Sequence, residues 1–172
     1  MRAALEMIGE IMPDFLSKLT SYDLFNYLFS GIIFVIMAKE VTNYSFVQSD
    51  IFIGSFLYYF IGLVVSRFGS LVIEPLLKGL SFIQFADYKD FIAASKKDEK
   101  IALLSEVNNT YRTLISLFIL LLLLKLHEWI EGRFPALKEW DAIILVVLLL
   151  ILFLFSYRKQ TDCITERINS QR

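Results

Sequence analysis

His127-Glu-Trp-Ile-Glu131 is the segment of this 172-residue chain that comes nearest to a metal-binding motif. On a helix, His127 and Glu131 stand one turn apart on one face. The zinc-protease pattern requires a second histidine where Glu131 stands, and His127 is the chain's one histidine. The segment therefore reads as a polar collar, and no metal is expected. No glycine loop able to cradle phosphate, no paired-cysteine motif and no serine elbow occurs along the chain. Neither enzyme activity nor a cofactor is expected from these residues.

Other ionisable and polar residues sit where chemistry of a different kind is plausible. Arg67 and Glu74 lie seven residues apart in Ser66-Arg-Phe-Gly-Ser-Leu-Val-Ile-Glu-Pro75, two α-turns, so a regular helix puts them on one face. Charges near hydrocarbon are costly and find partners, which predicts an ion pair or charged ring there, with snorkelling of Arg67 and solvation of Glu74 as the plain alternative. Asn108, Asn109 and Arg112 arrive at the same depth and are candidates for polar contacts with that region or with a second copy. Gly62, Ser66 and Ser70 recur every four residues, a small-residue stripe that permits close helix approach. Asn26 and Ser30 share a face and would line a pore running beside them. Packing within one chain explains both stripes equally well.

These residues need elements to hold them, and composition says which. The chain is 56% hydrophobic and 20% charged, with a net charge of −1 and one cysteine. That excludes a disordered chain, a disulfide-stapled module and a nucleic-acid binder working by bulk charge. The apolar residues fall in four blocks, 24–38, 51–66, 113–124 and 142–157. Residues 142–155 are apolar on every helical face, whereas a soluble surface helix would show a stripe with polar residues opposite. Flanking Tyr22, Tyr44, Trp129, Trp140 and Tyr157 extend the blocks as interfacial rings, and Lys39 and Lys125 can snorkel. The expected class is all-α, with spans at about 22–44, 51–66, 111–130 and 140–157 crossing a lipid bilayer.

Basic residues orient the spans. Thirteen Lys and Arg fall in the leader, the 66–112 connection and the C-terminal tail 158–172, against four in the 39–50 and 125–141 connections. The positive-inside rule then puts both termini and the long connection in the cytoplasm, with Cys163 a free thiol in the tail. No small-residue cleavage pattern follows the first block, so its retention is expected. Leu5, Ile8, Met12, Phe15 and Leu19 give the leader, residues 1–20, an amphipathic helical pattern that Pro13 interrupts. Its polar face is acidic, which favours packing on neighbouring segments over lying on lipid.

The connection 67–110 is too apolar to be a flexible linker. It continues the second span to Lys78 with a kink expected at Pro75, and Ser95-Lys-Lys-Asp98 reads as a capping box opening a helix at 96. That helix runs on to about residue 130, so spans two and three extend into a cytoplasmic stalk. Phe82, Phe85 and Tyr88 on the stalk are candidates for docking a soluble partner.

Three strings carry a resemblance: Phe-Asn-Tyr-Leu-x-x-Gly-Ile-Ile-Phe at 25–34, Arg-x-Gly-Ser-x-x-Ile-Glu-Pro at 67–75 and Asn-Asn-x-Tyr-Arg at 108–112. Over about residues 20–130 the chain resembles a group of small, mostly uncharacterised bacterial four-span inner-membrane proteins. The fourth span adds no motif. The resemblance implies an association with anti-phage or mobile-island genes, whose membrane components oligomerise and permeabilise the inner membrane. Two functions are therefore expected: a homo-oligomeric, channel-like assembly gated by its stalk, or a membrane anchor recruiting a soluble cytoplasmic partner. A phage holin fits the size and the charged tail but not the long ordered connection.

Overall fold

A computed structural model describes residues 24–170, and the amphipathic pattern expected for the leader lies outside them. Helix α1, Leu24–Val41, opens with π turns over Leu24–Phe29 and is α-helical from Ser30. Helix α2 runs Ile51–Gly79, α3 Tyr88–Ser95, α4 Glu99–Arg133 and α5 Asp141–Asn169, with a 3₁₀ turn, Pro135–Glu139, between the last two. No strand occurs among the described residues. α1, α2, α4 and α5 are each long and apolar enough to cross a bilayer, and the protein is all-α and multi-pass.

Local chemistry explains the boundaries. Asp50 caps α2, its Oδ1 accepting from the amides of Phe52 at 2.8 Å and Ile53 at 3.0 Å. A cap of this kind contributes about 1 kcal/mol. The capping box expected at Ser95 is not used. Ser95 ends α3 with its hydroxyl donating to the Phe91 carbonyl, and Asp98 caps α4 by accepting from Lys100 N at 2.9 Å. Asp98 stands one residue before the helix, where its carboxylate meets the free amides, whereas Ser95 is still inside α3 with its hydroxyl spent on the Phe91 carbonyl. At 35 residues α4 is roughly 52 Å long, against about 30 Å of hydrocarbon, and is the long continuous helix expected to open near residue 96.

The C-terminal segment differs from the expectation of a plain tail. α5 continues as one 29-residue helix through Asn169, bringing Lys159 into the bundle.

Packing is concentrated where α1, α2 and α4 meet. Val35, Ala38, Val65, Ile73, Leu117 and Leu121 are the buried hydrophobic side chains, a small core that suits a chain whose apolar surface meets lipid tails instead of water. Small residues set the spacing. A β-carbon on Gly62 would overlap the Tyr27 carbonyl oxygen, and one on Gly31 would overlap that of Tyr58, so α1 and α2 cross with their backbones in contact. α5 stands at the edge: Ser156 is its one buried residue, and Phe153 meets the Phe60 ring of α2 with centroids 6.0 Å apart.

Candidate functional site

Ionisable side chains gather at the two ends of the bundle, and the stalk end is built on a break in α2. Over Gly69–Ile73 the helix takes a π turn, which absorbs one extra residue and rotates the remainder of α2 by roughly 100°. Arg67 and Glu74 consequently do not share a face, and the pair expected between them does not form. Arg67 has no ion-pair partner among the described residues. In the π register the Glu74 amide donates to the Gly69 carbonyl. The next amide, which would serve the Ser70 carbonyl, belongs to Pro75 and carries no hydrogen. Lys159 of α5 takes that freed carbonyl at 2.8 Å and the Ser70 hydroxyl at 2.7 Å.

Glu74 stands at the centre of this end. Arg112 Nη1 of α4 donates to it at 2.6 Å, Lys78 one turn along α2 lies at 3.2 Å, and Lys159 completes the set at 3.5 Å. Three helices are thereby tied at one carboxylate. Gly69 makes the approach possible, since a β-carbon there would meet the Ser116 hydroxyl and lie 3.3 Å from Arg112 Cγ. One layer deeper, Thr113 Oγ1 lies 3.4 Å from Ser66 Oγ and donates to the Asn109 carbonyl at 2.9 Å.

Beside this clamp a cleft of about 210 Å³ is lined by Glu74, Phe82, Phe85, Asn108, Tyr111 and Arg112 among others. Lys78 sits over the Phe85 ring, 4.3 Å from its centroid. Arg112 Nε is buried without an acceptor. Of the docking candidates, Phe82 and Phe85 line the cleft, whereas Tyr88 opens α3 and does not.

The candidates for a pore or oligomer interface are placed differently from that expectation. Asn26, Ser30, Gly62, Ser66 and Ser70 are all buried within the single chain. Gly62 faces α1, Ser66 faces α4, and Ser70 faces α5. The stripe serves three neighbours instead of one because each partner helix meets α2 at a different depth. The Ser30 hydroxyl donates back to the Asn26 carbonyl at 2.5 Å.

At the opposite end, the first connection folds over α4. Tyr44 donates its phenol hydrogen to Glu131 Oε2 and stands 3.1 Å from His127 Nδ1, and Asn43 hydrogen-bonds Glu128. Lys125 pairs with Glu128 at 2.9 Å, and Lys138 approaches Glu131 at 3.8 Å. The first residue of α5, Asp141, brings Oδ1 to 3.3 Å from His127 Nε2. Burial, reinforced by the hydrogen bond to Glu131 and by the surrounding carboxylates, pushes the Tyr44 phenol well above its ordinary range.

Sequence reasoning missed Lys159, Asp141, Gly31 and Gly69 as contributors. Lys159 carried one signal, its position just past the last apolar residue of the fourth block. No protein-family model, curated protein or solved structure matches this chain.

Proposed function

We propose that the protein is a homo-oligomeric, channel-like assembly of a bacterial inner membrane, with both termini and the stalk in the cytoplasm and with the stalk governing passage. The clamp at Glu74 carries this reading. It joins α2, α4 and α5 where the stalk leaves the lipid, at a π turn that interrupts regular helix bonding. Such turns are frequent at functional sites because they cost bonding that must be recovered elsewhere. A force or contact on α3 or the start of α4 reaches the spans through this point. Because Asn26, Ser30, Ser66 and Ser70 are buried inside the single chain, a conduction path would run between copies, beside the lightly covered α5. Release on triggering would then permeabilise the membrane, the role implied by the resemblance to defence-associated proteins.

Ion flux from proteoliposomes tests the reading. Wild-type vesicles should be tight and Arg112→Gln vesicles leaky by at least about tenfold, the expected consequence of losing roughly 1.4 kcal/mol of closing energy. Equal tightness of both proteins, each a monomer by mass, would sink it.

A second reading, a membrane anchor that recruits a soluble partner, is favoured by the apolar stalk surface. Phe82 is 77% exposed and Leu80 69%, beside the cleft. Replacing 80–87 by a Gly/Ser linker separates the two: loss of a captured partner with oligomers retained supports docking.

A further inference from the structure

Tyr44 has one phenol hydrogen, and it is committed to Glu131 Oε2. Its oxygen therefore receives, instead of supplying, the hydrogen in the 3.1 Å contact with His127 Nδ1. In a neutral imidazole this assigns the hydrogen to Nδ1 and leaves the lone pair of Nε2 bare. Nε2 lies 3.3 Å from Asp141 Oδ1, out of line for a hydrogen bond, and Oδ1 is enclosed and accepts no hydrogen bond. Two electron-rich atoms this close, with no hydrogen between them, call for a cation.

We propose that His127 Nε2, Glu131 and Asp141 hold a divalent transition-metal ion of the zinc class, with Tyr44 orienting the imidazole from its far side. One ligand atom from each of the three residues lies within 4.8 Å of the others. Around tetrahedral zinc, with bonds of about 2.0–2.2 Å, ligand atoms stand roughly 3.3–3.6 Å apart. Closure onto the ion is a side-chain adjustment of about 1 Å. One imidazole with two carboxylates suits zinc or a neighbouring transition metal better than magnesium or calcium, which take oxygen alone. Three protein ligands leave the fourth position to water. Tyr44 on Nδ1 is the outer partner that metal-binding histidines characteristically have. Lys138 Nζ stands 3.8 Å from Glu131 and is largely exposed, so it can swing into solvent as the ion enters.

The ion would fasten the start of α5 to α4 and, through Tyr44, to the first connection. α5 is otherwise the least embedded of the four long helices. This inference stands independently of the channel reading, since metal binding is measured on the isolated chain.

The test uses untagged full-length protein carrying Cys163→Ser, stripped with chelator in detergent and titrated with Zn²⁺ or Mg²⁺. Elemental analysis should find one zinc per chain. Thermal unfolding should rise by about 5 °C or more at a hundredfold excess over Kd, with magnesium giving neither effect. His127→Gln and Asp141→Asn should each weaken binding by at least about a hundredfold, and Tyr44→Phe by about tenfold, with helical content unchanged by circular dichroism. Wild-type protein that takes up no zinc, its Asp141 held by a protonated His127, overturns the proposal whatever the variants do. Stoichiometric binding that survives His127→Gln overturns it as well.

Discussion

The two ends of the bundle use the same residue types to opposite effect. At the stalk end one carboxylate, Glu74, is surrounded by Arg112, Lys78 and Lys159, and the group left over is a donor, Arg112 Nε. At the other end Glu128, Glu131 and Asp141 outnumber the nearby Lys125 and Lys138, and the group left over is an acceptor, Asp141 Oδ1. The first arrangement leaves no anion unpaired, since Glu74 is met by three cations and the carbonyl freed by Pro75 has its lysine. Its effect is mechanical, to hold three helices in register. The second is open, because the hydrogens available to Tyr44 and His127 cannot satisfy every acceptor that faces them. A cluster with a surplus acceptor and a histidine takes a cation, and a cluster with every anion paired takes load.

Substitutions test that contrast, starting with a control that belongs to neither end. Gly62→Ala should have the largest effect, about 3 kcal/mol, because its β-carbon would overlap the Tyr27 carbonyl and drive α1 off α2. Thermal unfolding in detergent measures it, and an unchanged midpoint would mean that the close crossing is not what holds the core. Glu74→Ala should come next at about 2 kcal/mol, since it strands Arg112 and Lys159 without their anion, reduced from the cost at a fully buried pair because both cations keep some access to water. Lys159→Met should cost about 1 kcal/mol, the worth of hydrogen bonds to the Ser70 carbonyl and hydroxyl. The same substitution should raise amide exchange near Ser70 and leave the opposite end unchanged, which mass-resolved hydrogen exchange reads directly.

The smallest effect separates the two ends most cleanly. Asp141→Asn, measured in chelator, should shift stability by no more than about 0.5 kcal/mol, because it removes an acceptor that makes no hydrogen bond and weakens one contact with His127. A loss as large as that of Glu74→Ala would mean that the acid end is as closed as the stalk end, and the comparison fails.

Much of the fold is legible without the tertiary structure. Apolar block length, flanking rings and the change of pattern at Asp98 are local properties, so the four spans and the long helix α4 follow from them. The capping residue is misplaced by local reasoning because Ser95 and Asp98 both have a capping side chain, and the choice between them depends on α3 ending where it does. The site residues divide in the same way. Arg112, Glu74 and Asn108 stand out as polar residues close to lipid, and they do meet at the stalk base. Arg67 is the wrong partner for Glu74, because two-turn spacing presumes an unbroken α-helix and the π turn between them removes that presumption. His127 and Glu131 do share one face, but their third companion lies beyond a 3₁₀ turn, on another helix.

Residue order alone makes this chain helical, makes four of its segments apolar enough to cross a bilayer, and sets which residues of each helix are neighbours one turn apart. These depend on hydropathy and on a backbone period that any stretch of chain carries within itself. Which faces meet is set by packing: Ser70 looks to α5, Glu74 collects Arg112 and Lys159, and Asp141 arrives beside His127. Those contacts depend on the rotation and depth of one helix against another. A single π turn or a five-residue 3₁₀ turn in a connection resets both, and no periodicity along one segment records the phase of the next.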